Sequence, residues 1–325
     1  MTAASGLRVV VTGGAGFIGA NLCRRLSGDP AVGSVIAIDD LSTGSAANLA
    51  DLPGVELVLG TILDADLLDQ VFRGAHAVVH LAARPSVPRS LTDPMATHLV
   101  NATGTVEVLE AARRAGEGRT AGPLHVVVAS SSSVYGANRT LPQREDATPM
   151  PLSPYGASKL AAESYALAGA ASFGLRVLAF RLFNVFGPFQ TAGHPYAAVV
   201  PTFIDAALRG RPLTIHGDGR QTRDFTFVGS VIAVLADALM RRVSCERPVN
   251  LAFGSRVSLQ ELISDLEAIF GHPLRVEYTV ARVGDIRDSQ ADQSEVRQLF
   301  PDLDVVPLSA GLRSTVNWFR KVADP

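Results

Sequence analysis

The sequence has few cysteines, little net charge and no long apolar run, and each shortage excludes a class of protein. Its 325 residues include two cysteines, Cys23 and Cys245, too few for the disulfide framework of a small secreted domain. The formal net charge is −2 and no basic cluster is present, so we expect no nucleic-acid partner. No apolar stretch approaches the ~20 residues of a membrane span. Residues 1–6 lack a signal pattern, so we expect no membrane partner and a reducing, cytoplasmic location.

Apolar runs alternate with helical patterns through the first half of the chain, which is 47% hydrophobic overall. This alternation predicts an α/β fold with a doubly wound parallel sheet of the Rossmann type over residues 1–183. Helical patterns at Leu99–Ala115 and Tyr155–Ser172 separate later strands. The predicted strands are Leu7–Thr12, Ser34–Ile38, Glu56–Leu59, Ala77–His80, His125–Ala129 and Arg176–Leu182.

The pattern changes after about Asn184, where glycine, proline and short apolar runs appear. We expect residues 184–325 to form a smaller C-terminal substrate-binding domain, with a return to the main sheet near residues 226–252. The predicted helices of this part are Val199–Arg209, Ser230–Arg242 and Leu259–Phe270.

A glycine-rich segment, Val10–Gly19, joins the first predicted strand to a helical pattern. Such a turn lets backbone N–H groups and a helix N-terminus approach a pyrophosphate. The second strand is followed by Asp39, twenty residues after Gly19, where a dinucleotide fold places the carboxylate that binds the adenosine ribose. Because Asp39 and Asp40 would repel a 2′-phosphate and no arginine is close by, the sequence favours NAD over NADP.

Tyr155 and Lys159 lie four residues apart at the start of a predicted helix, which Ser153 can cap and Pro154 can begin. Residues at this spacing share one helix face. A cationic lysine beside a phenol lowers the phenol pKa from about 10 and makes it a base near neutral pH. We therefore predict a lowered pKa for Tyr155. An ordinary amphipathic helix is the alternative for the pair taken alone.

Taken together, these residues resemble the extended short-chain dehydrogenase/reductase family, and within it the nucleotide-sugar 4-epimerases. The resemblance extends from about Leu7 to Trp318, and the order and spacing of the motifs make it specific. The motifs are Thr12-Gly13-Gly14-Ala15-Gly16-Phe17-Ile18-Gly19, His80-Leu81-Ala82-Ala83, Asn101 before Gly104-Thr105, Ser130-Ser131-Ser132-Ser133-Val134-Tyr135-Gly136, Tyr155 with Lys159, Phe183-Asn184-Val185-Phe186-Gly187-Pro188, Gly217-Asp218-Gly219, Thr222-Arg223-Asp224-Phe225 and Arg282-Val283-Gly284-Asp285.

The resemblance implies a reaction at C4 of a UDP-hexose, with UDP-glucose and UDP-galactose as the expected pair. Tyr155 would act as the base on the C4 hydroxyl while hydride moves to tightly held NAD. Lys159 would lower the tyrosine pKa and bind the nicotinamide ribose. The 4-keto sugar would then turn over and receive the hydride on its other face. No metal is expected.

Ser131, four residues before Tyr135, matches the family's catalytic serine or threonine. The neighbouring serines 130, 132 and 133 are alternatives on the same loop. Related 4,6-dehydratases carry an Asp-Glu pair where this chain has Ser132 and Ser133, and serine cannot supply that acid and base. A decarboxylase should also carry an acidic residue here. We therefore expect epimerisation.

The resemblance also assigns binding positions along the chain. Arg223 and Arg282 match the arginines that clamp the diphosphate, and Asp285 matches the carboxylate that binds the uridine ribose. The expected NAD-binding residues are Gly13, Ala15, Gly16, Phe17, Ile18, Asp39, Asp40, Thr61, Ile62, Leu81, Ala82, Ala83, Asn101, Tyr155, Lys159 and Phe183. The expected substrate-binding residues are Ser131, Ser132, Asn184, Val199, Thr214, His216, Arg223, Arg282 and Asp285.

The sequence departs from the family at three positions. Thr61 replaces the usual adenine-binding aspartate, Leu182 replaces a common tyrosine, and Gly229 replaces an aspartate expected to cap a helix. Ser289 is small where strict glucose/galactose enzymes are bulky, so we expect the N-acetylhexosamine pair to be accepted too. The alternatives are a UDP-glucuronate 4-epimerase, another enzyme of the same family that modifies a nucleotide sugar, and a non-catalytic NAD-binding regulator. A homodimer is expected through the helices Leu99–Ala115 and Tyr155–Ser172.

Overall fold

The structure is a computed structural model that describes residues 6–119, 122–192, 197–280 and 287–323. The strands are β1 Leu7–Thr12, β2 Val32–Asp39, β3 Val55–Leu59, β4 Ala77–His80, β5 His125–Ser131, β6 Arg176–Leu182, β7 Val185–Phe186, β8 Leu213–His216, β9 Thr222–Arg223, β10 Thr226–Phe227, β11 Val249–Leu251, β12 Val257–Ser258 and β13 Val276–Thr279. The α-helices are α1 Phe17–Ser27, α2 Ala65–Phe72, α3 Val87–Thr92, α4 Pro94–His98, α5 Gly104–Gly116, α6 Pro154–Phe173, α7 Val199–Leu208, α8 Val228–Arg241, α9 Leu259–Phe270, α10 Ser294–Leu299 and α11 Leu308–Ala323.

The chain divides into two compact units. The first contains residues 1–137, 148–182 and 232–249, and the second contains residues 138–147, 183–231 and 250–325. The segment 138–147 therefore groups with the second unit, although it lies inside the range 1–183 that the sequence assigns to the cofactor domain.

Within the described residues, a seven-stranded sheet of order β11-β6-β5-β4-β1-β2-β3 contains all the strands of the first unit, and β11 begins at Val249, the last residue of that unit. The neighbours from β3 to β6 pair in parallel. Val9, Val10 and Val11 are fully buried, as expected for a strand covered on both faces. The predicted doubly wound α/β class is confirmed. Because the strands are parallel, their carboxyl ends meet at one edge, which carries Thr12, Asp39, His80 and Ser131.

Helix α6 forms as the sequence predicts. The Ser153 side chain accepts a hydrogen bond from the Gly156 N–H at 3.1 Å, Pro154 occupies the first turn, and Gly174 ends the helix in the left-handed conformation at φ 69°. Its buried face carries small residues together with Lys159 and Glu163. This face places two ionisable groups against the sheet.

The segment predicted as one helix over Leu99–Ala115 begins instead with a π-helical turn, Leu99–Thr103, before α5. Thr105 Oγ1 donates to the Asn101 carbonyl at 2.6 Å, so its hydroxyl takes part in the hydrogen bonding of this turn. A Cβ at Gly104 would lie 2.5 Å from Ile62 Cδ1, so the chain packs tightly there. Such π-bulges are frequent at functional sites.

The second unit pairs short strands, β8 with β13, β9 with β12 and β7 with β10. Its aromatic core includes Phe186, which packs edge-on against Phe225 at 6.4 Å. Gly229 lies inside α8, and a Cβ there would come within 2.6 Å of the Phe227 ring. The missing aspartate at this position therefore makes room for an aromatic side chain.

Among the residues that the structure describes, no helix combines the length and the apolar character needed to cross a membrane.

Candidate active site

The glycine turn after β1 has the shape that a pyrophosphate site requires. Gly13 has φ 71°, and a Cβ there would lie 2.7 Å from the Ala82 nitrogen. A Cβ at Gly19 would lie 2.1 Å from the Gly13 carbonyl oxygen, so neither position admits another residue. Gly16 is the N-cap of α1 and brings no side chain to the N–H groups of the first turn. These N–H groups and the helix dipole fit a dinucleotide pyrophosphate.

Asp39 at the end of β2 is buried and holds this turn in place. Its Oδ2 accepts from the Ala15 N–H at 2.9 Å, and its Oδ1 accepts from the Leu41 N–H at 2.8 Å. Burial raises the pKa of the Asp39 carboxyl, and these N–H donors oppose the rise. Asp40 is exposed and accepts from the Ser42 N–H at 2.9 Å. The carboxylates thus lie at the strand end where an adenosine ribose is bound in dinucleotide folds.

The other predicted cofactor residues of the first unit divide into surface and core. The Thr61 hydroxyl accepts from the Leu63 N–H at 3.3 Å, so it already serves its own turn. Ile62 is 5% exposed and packs in the core under Gly104. The segment Leu81–Ala83 follows β4 and is half-buried. Phe17 and Ile18 form the first turn of α1 after Gly16.

A buried polar chain, which sequence reasoning missed, links β1 to the π-helical turn. His80 Nδ1 lies 2.7 Å from Thr12 Oγ1, and His80 Nε2 lies 3.0 Å from Thr105 Oγ1. Because Thr105 donates its proton to the Asn101 carbonyl, it accepts from Nε2–H, and Thr12 donates to Nδ1. Burial and the Lys159 charge lower the pKa of His80 to about 3. The His80 ring is therefore neutral, and both of its nitrogens are hydrogen-bonded.

Asn101 extends this chain towards the start of α6. Its Oδ1 accepts from the Arg84 N–H at 2.7 Å, and its Nδ2 donates to Ser158 Oγ at 3.0 Å. Ser158 in turn donates to the Tyr155 carbonyl at 2.8 Å. Asn101 is 1% exposed. In this structure Asn101 positions the backbone around Tyr155, a role different from the NAD contact that the sequence predicts for it.

Ser131 is the last residue of β5, and Tyr155 and Lys159 lie in the first two turns of α6. Ser131 hydrogen-bonds the Tyr155 phenol, which favours the phenolate. Burial has the larger, opposite effect and raises the pKa of Tyr155. The Lys159 Nζ donates to the Ala129 carbonyl at 2.8 Å, and burial lowers its pKa to about 8. The predicted lowering of the Tyr155 pKa is therefore wrong for this arrangement, because desolvation of the phenolate dominates.

The contacts distinguish the neighbouring serines. Ser131 Oγ accepts from the Ser133 N–H at 3.1 Å and lies 3.2 Å from Ser133 Oγ. Ser130 instead turns to the other side of β5 and donates to Glu163 Oε2 at 2.7 Å. Ser132 and Ser133 begin a short 3₁₀ turn. Ser131 is thus the serine that reaches the phenol, and Ser130 is committed to the core.

A buried ion pair stands behind Ser130. Arg181 Nη2 lies 2.7 Å from Glu163 Oε1, and both side chains are almost fully buried. Arg181 also stacks over the Tyr135 ring at 4.7 Å from its centroid. The pair joins β5, β6 and α6 one turn beyond Lys159. Sequence reasoning missed it, although an arginine inside the apolar run of β6 is a signal for a buried partner.

The second unit contains the remaining predicted residues. Phe183 is buried, while Asn184 is exposed with φ 26°. Val199 begins α7, and Thr214 is exposed on β8. His216 Nδ1 lies 2.9 Å from Thr279 Oγ1.

Arg223 on β9 donates through Nη1 to the carbonyl oxygens of Thr222 and Arg287, at 2.9 and 3.1 Å. The residue after it, Asp224, is fully buried and accepts from the Gly254 and Ala291 N–H groups at 3.1 and 3.0 Å. Burial raises its pKa to about 6. Sequence reasoning missed this anchoring of the strand that carries Arg223. The predicted Arg282 and Asp285 lie outside the described residues.

Comparisons with known proteins show the family to which this chain belongs. The family model described as the NAD dependent epimerase/dehydratase family matches residues 9–252. The chain is 37% identical over 321 residues to the UDP-glucose 4-epimerase of Mycolicibacterium smegmatis, covering 97% of this chain and 99% of that protein.

Two solved structures are also similar. The UDP-N-acetylglucosamine 4-epimerase of Methanobrevibacter ruminantium, in complex with UDP-N-acetylmuramic acid, superposes with a TM-score of 0.90 at 33% identity, covering 98% of this chain and 99% of that one. The UDP-glucuronic acid 4-epimerase of Bacillus cereus, with UDP-glucuronic acid and NAD, gives 0.87 at 30% identity, covering 97% and 100%.

The family match covers most of the chain and the identities extend over nearly all of it, so the resemblance inferred from the motifs is confirmed. This chain belongs to the NAD-dependent epimerase/dehydratase family, as an enzyme of the UDP-sugar epimerase type among the extended short-chain dehydrogenase/reductases, and its cofactor is NAD.

Proposed function

We propose that this enzyme interconverts UDP-glucose and UDP-galactose by epimerisation at C4, and that it also accepts the N-acetylated pair. The observation that carries the proposal is the Ser131 hydroxyl bonded to the Tyr155 phenol, with Lys159 one turn further along the same helix. This is an acid–base group beside a hydrogen-bond donor, the chemistry needed to deprotonate an alcohol while its carbon becomes a ketone.

For NAD, the residues present fit and their roles are part of the proposal. The turn from Gly13 to Ile18 would hold the pyrophosphate through backbone N–H groups. Asp39 would bind the adenosine ribose and Lys159 the nicotinamide ribose. Thr61, Ile62 and Leu81–Ala83 would surround the adenine and its linker, with Phe183 on the nicotinamide side. When bound, NAD supplies a reversible acceptor for the C4 hydride.

The chain's own groups would then move the proton. Tyr155 takes the C4 hydroxyl proton, and the Ser131 hydroxyl donates to the C4 oxygen as charge develops there. Lys159 has a pKa of about 8, so it is largely protonated at neutral pH and keeps N–H donors for the nicotinamide ribose. Tyr155 returns the proton after the 4-keto sugar has presented its other face. Because burial raises the tyrosine pKa, activity should increase with pH.

For the UDP part, we assign roles by residue. Arg223 is proposed to clamp the diphosphate together with Arg282, since guanidinium groups match phosphate oxygens. Asn184 is a proposed amide donor to the same group, and Asp285 a proposed acceptor for the ribose hydroxyls. Val199, Thr214 and His216 are proposed to line the uracil, and Ser132 to contact the sugar.

A second candidate is UDP-glucuronate 4-epimerisation, favoured by the similarity to the Bacillus cereus enzyme. The same catalytic group would serve both reactions, so the difference lies around C6 of the sugar. A non-catalytic regulator is disfavoured because both Tyr155 and Lys159 are present and folded into contact with neighbours.

The test is to incubate the purified protein separately with UDP-glucose, UDP-N-acetylglucosamine and UDP-glucuronate and to separate the products. We expect the C4 epimer from the first two. Turnover of UDP-glucuronate alone would replace the substrate assignment, and turnover of none, in protein that retains NAD after purification, would contradict the proposed function.

We also propose a homodimer formed by α5 and α6, as the family resemblance implies. Apolar side chains on the same part of the first unit are exposed, including Met95 at 65% and Tyr165 at 53%. Tyr165→Glu should then convert a dimer into a monomer in light scattering. A wild type that is monomeric at micromolar concentration would contradict this assignment.

A further inference from the structure

Four arginines gather at the amino ends of the central strands, the edge of the sheet opposite Ser131. They are Arg8, Arg119, Arg176 and Arg242, and we refer to them as the amino-edge cluster. Arg8 and Arg176 lie at the starts of β1 and β6, whereas Arg119 follows α5 and Arg242 follows α8. All four belong to the first unit.

One half of the cluster is built around His76, which precedes β4. The Arg8 N–H donates to His76 Nδ1 at 2.9 Å, and the His76 N–H donates to the Arg8 carbonyl at 2.8 Å. The Arg119 guanidinium donates to the carbonyl of Ala75, the residue before His76. Because Nδ1 accepts, the proton of the neutral imidazole lies on Nε2, where it can be donated further.

The other half is built around the start of β5. Arg242 Nη2 donates to the Pro123 carbonyl at 2.7 Å, and Arg242 adopts the left-handed conformation at φ 53°. Arg176 pairs in register with His125, whose Nε2 lies 2.6 Å from the Val243 carbonyl. The two halves meet at the β4–β5 pair, because the His125 N–H donates to the His76 carbonyl at 3.3 Å.

The charges of the cluster are not compensated within the part of the chain that the structure describes. None of the four arginines forms an ion pair there. Burial lowers the pKa of Arg242, and the charges of Arg176 and Arg119 lower it further. Burial is the main cause of a lowered pKa at His76, and the charges of Arg119 and Arg242 lower it further. The Nε–H groups of Arg8 and Arg242 are buried and lack an acceptor among the described residues.

A buried donor without an acceptor is costly, and at Arg242 the charges of Arg119 and Arg176 add to the cost unless an anion joins the cluster. Guanidinium forks match phosphate oxygens closely, and His76 Nε2–H adds a neutral donor. We propose that the amino-edge cluster is a binding site for a small phosphate-bearing anion, separate from the groups that hold NAD and the UDP-sugar.

The experiment measures thermal unfolding of the NAD-loaded enzyme, with UDP added so that diphosphate-binding groups are occupied. Inorganic phosphate, pyrophosphate and AMP are titrated in turn against chloride at equal ionic strength, which distinguishes a free phosphate from a nucleotide's. We expect at least one to raise the midpoint by about 2–4 °C when it saturates the site. No rise with any of the three would overturn the proposal.

Arg176→Gln and Arg242→Gln should abolish this rise. Arg176 is the cleaner position, because its side chain is exposed and forms no hydrogen bond within the described residues, so Arg176→Gln should fold normally. Arg139→Gln is the matched control, since Arg139 is an exposed arginine outside the cluster. A rise that survives in Arg176→Gln, or that disappears equally in Arg139→Gln, would contradict the proposal.

A direct measurement removes the dependence on variants. Imidazole resonances of the wild type should report phosphate at His76, with its titration moving to higher pH on saturation because an anion offsets the arginine charges. An unchanged His76 titration in saturating phosphate would show that the anion binds elsewhere.

Discussion

The two edges of the parallel sheet differ in whether their buried polar groups have hydrogen-bond partners. At the carboxyl edge, Thr12 and His80 pass hydrogen bonds from one to the next, and each ring nitrogen of His80 has a partner. At the amino edge, Arg8 and Arg242 bury Nε–H groups that have no acceptor in the described chain. A closed network fixes geometry, as catalysis requires. Donors without acceptors remain able to bind a ligand.

Removal of the phenol at the carboxyl edge should have the largest effect on activity. Tyr155→Phe keeps the ring and deletes the acid–base group, so turnover of UDP-glucose should fall about 10²–10⁴-fold. NAD retention and the thermal midpoint should change little. Arg176→Gln is the counterpart at the other edge and should leave turnover intact. Normal activity in a folded, NAD-loaded Tyr155→Phe variant would contradict the assigned role.

Ser131→Ala removes the hydrogen bond that favours the phenolate. The pKa of Tyr155 should then rise further, because burial acts without this opposing contact. We expect kcat to fall about 10²–10³-fold, in line with loss of a donor to developing charge, and the pH–rate profile to move to higher pH. Ser130→Ala is the neighbouring control and should change stability more than the pH profile. An unshifted profile in Ser131→Ala would argue for another serine.

Glu163→Gln tests the ion pair behind the carboxyl edge. It leaves Arg181 buried without its counter-charge, which typically costs about 3–5 kcal/mol of unfolding free energy. Adding Arg181→Met should recover much of the loss, since an apolar replacement of the whole pair is often tolerated. Urea unfolding of the single and double variants measures both. If the double variant is as unstable as Glu163→Gln alone, the loss of the counter-charge is not the cause of the instability.

His80→Gln should flatten part of the pH dependence of stability. The pKa of His80 is lowered from an ordinary 6.5 to about 3, so the folded chain keeps the ring neutral while the unfolded chain protonates it. Stability from this group is complete above pH 6.5 and declines by roughly 1.4 kcal/mol per unit as the pH falls towards 3. Comparing urea unfolding at pH 7 and pH 5 should show a smaller difference in the variant. Equal differences would exclude His80 as the source.

The smallest expected effect concerns one substrate class. Ser289 is 7% exposed and its N–H donates to the Thr222 carbonyl at 3.2 Å. Ser289→Tyr should lower kcat/KM for UDP-N-acetylglucosamine about 10–100-fold by overpacking, and spare UDP-glucose. A parallel loss for both sugars would show that Ser289 does not select between them.

The sequence predicted well wherever local chemistry decides the structure. Ser153 and Pro154 start α6 because capping and fixed φ act within one turn, and the glycines after β1 occupy positions that only glycine can adopt. The consecutive valines of β1 indicate a strand that is buried on both faces, as the structure has it. These features place the cofactor turn and the catalytic helix without any knowledge of distant contacts.

Long-range contacts were harder to infer. The rise in the pKa of Tyr155 depends on burial by the folded chain, which no spacing of two residues reveals. The hydrogen-bond partners of His80 are 25 and 68 positions away in the sequence, and those of Glu163 are 18 and 33 positions away. These partners come together only when the sheet has formed. The π-helical turn at Leu99 likewise reflects side-chain bonding within the folded unit rather than helix propensity.

The hydrogen at C4 of the sugar reports directly on whether epimerisation proceeds by hydride transfer to NAD and back. UDP-glucose carrying deuterium at C4 is converted in ordinary water, and the UDP-galactose formed is analysed by mass spectrometry and NMR. A transient 4-keto sugar that takes back its own hydride predicts that deuterium remains at C4 of the product. Replacement of that deuterium by solvent hydrogen would contradict return of the same hydride to C4.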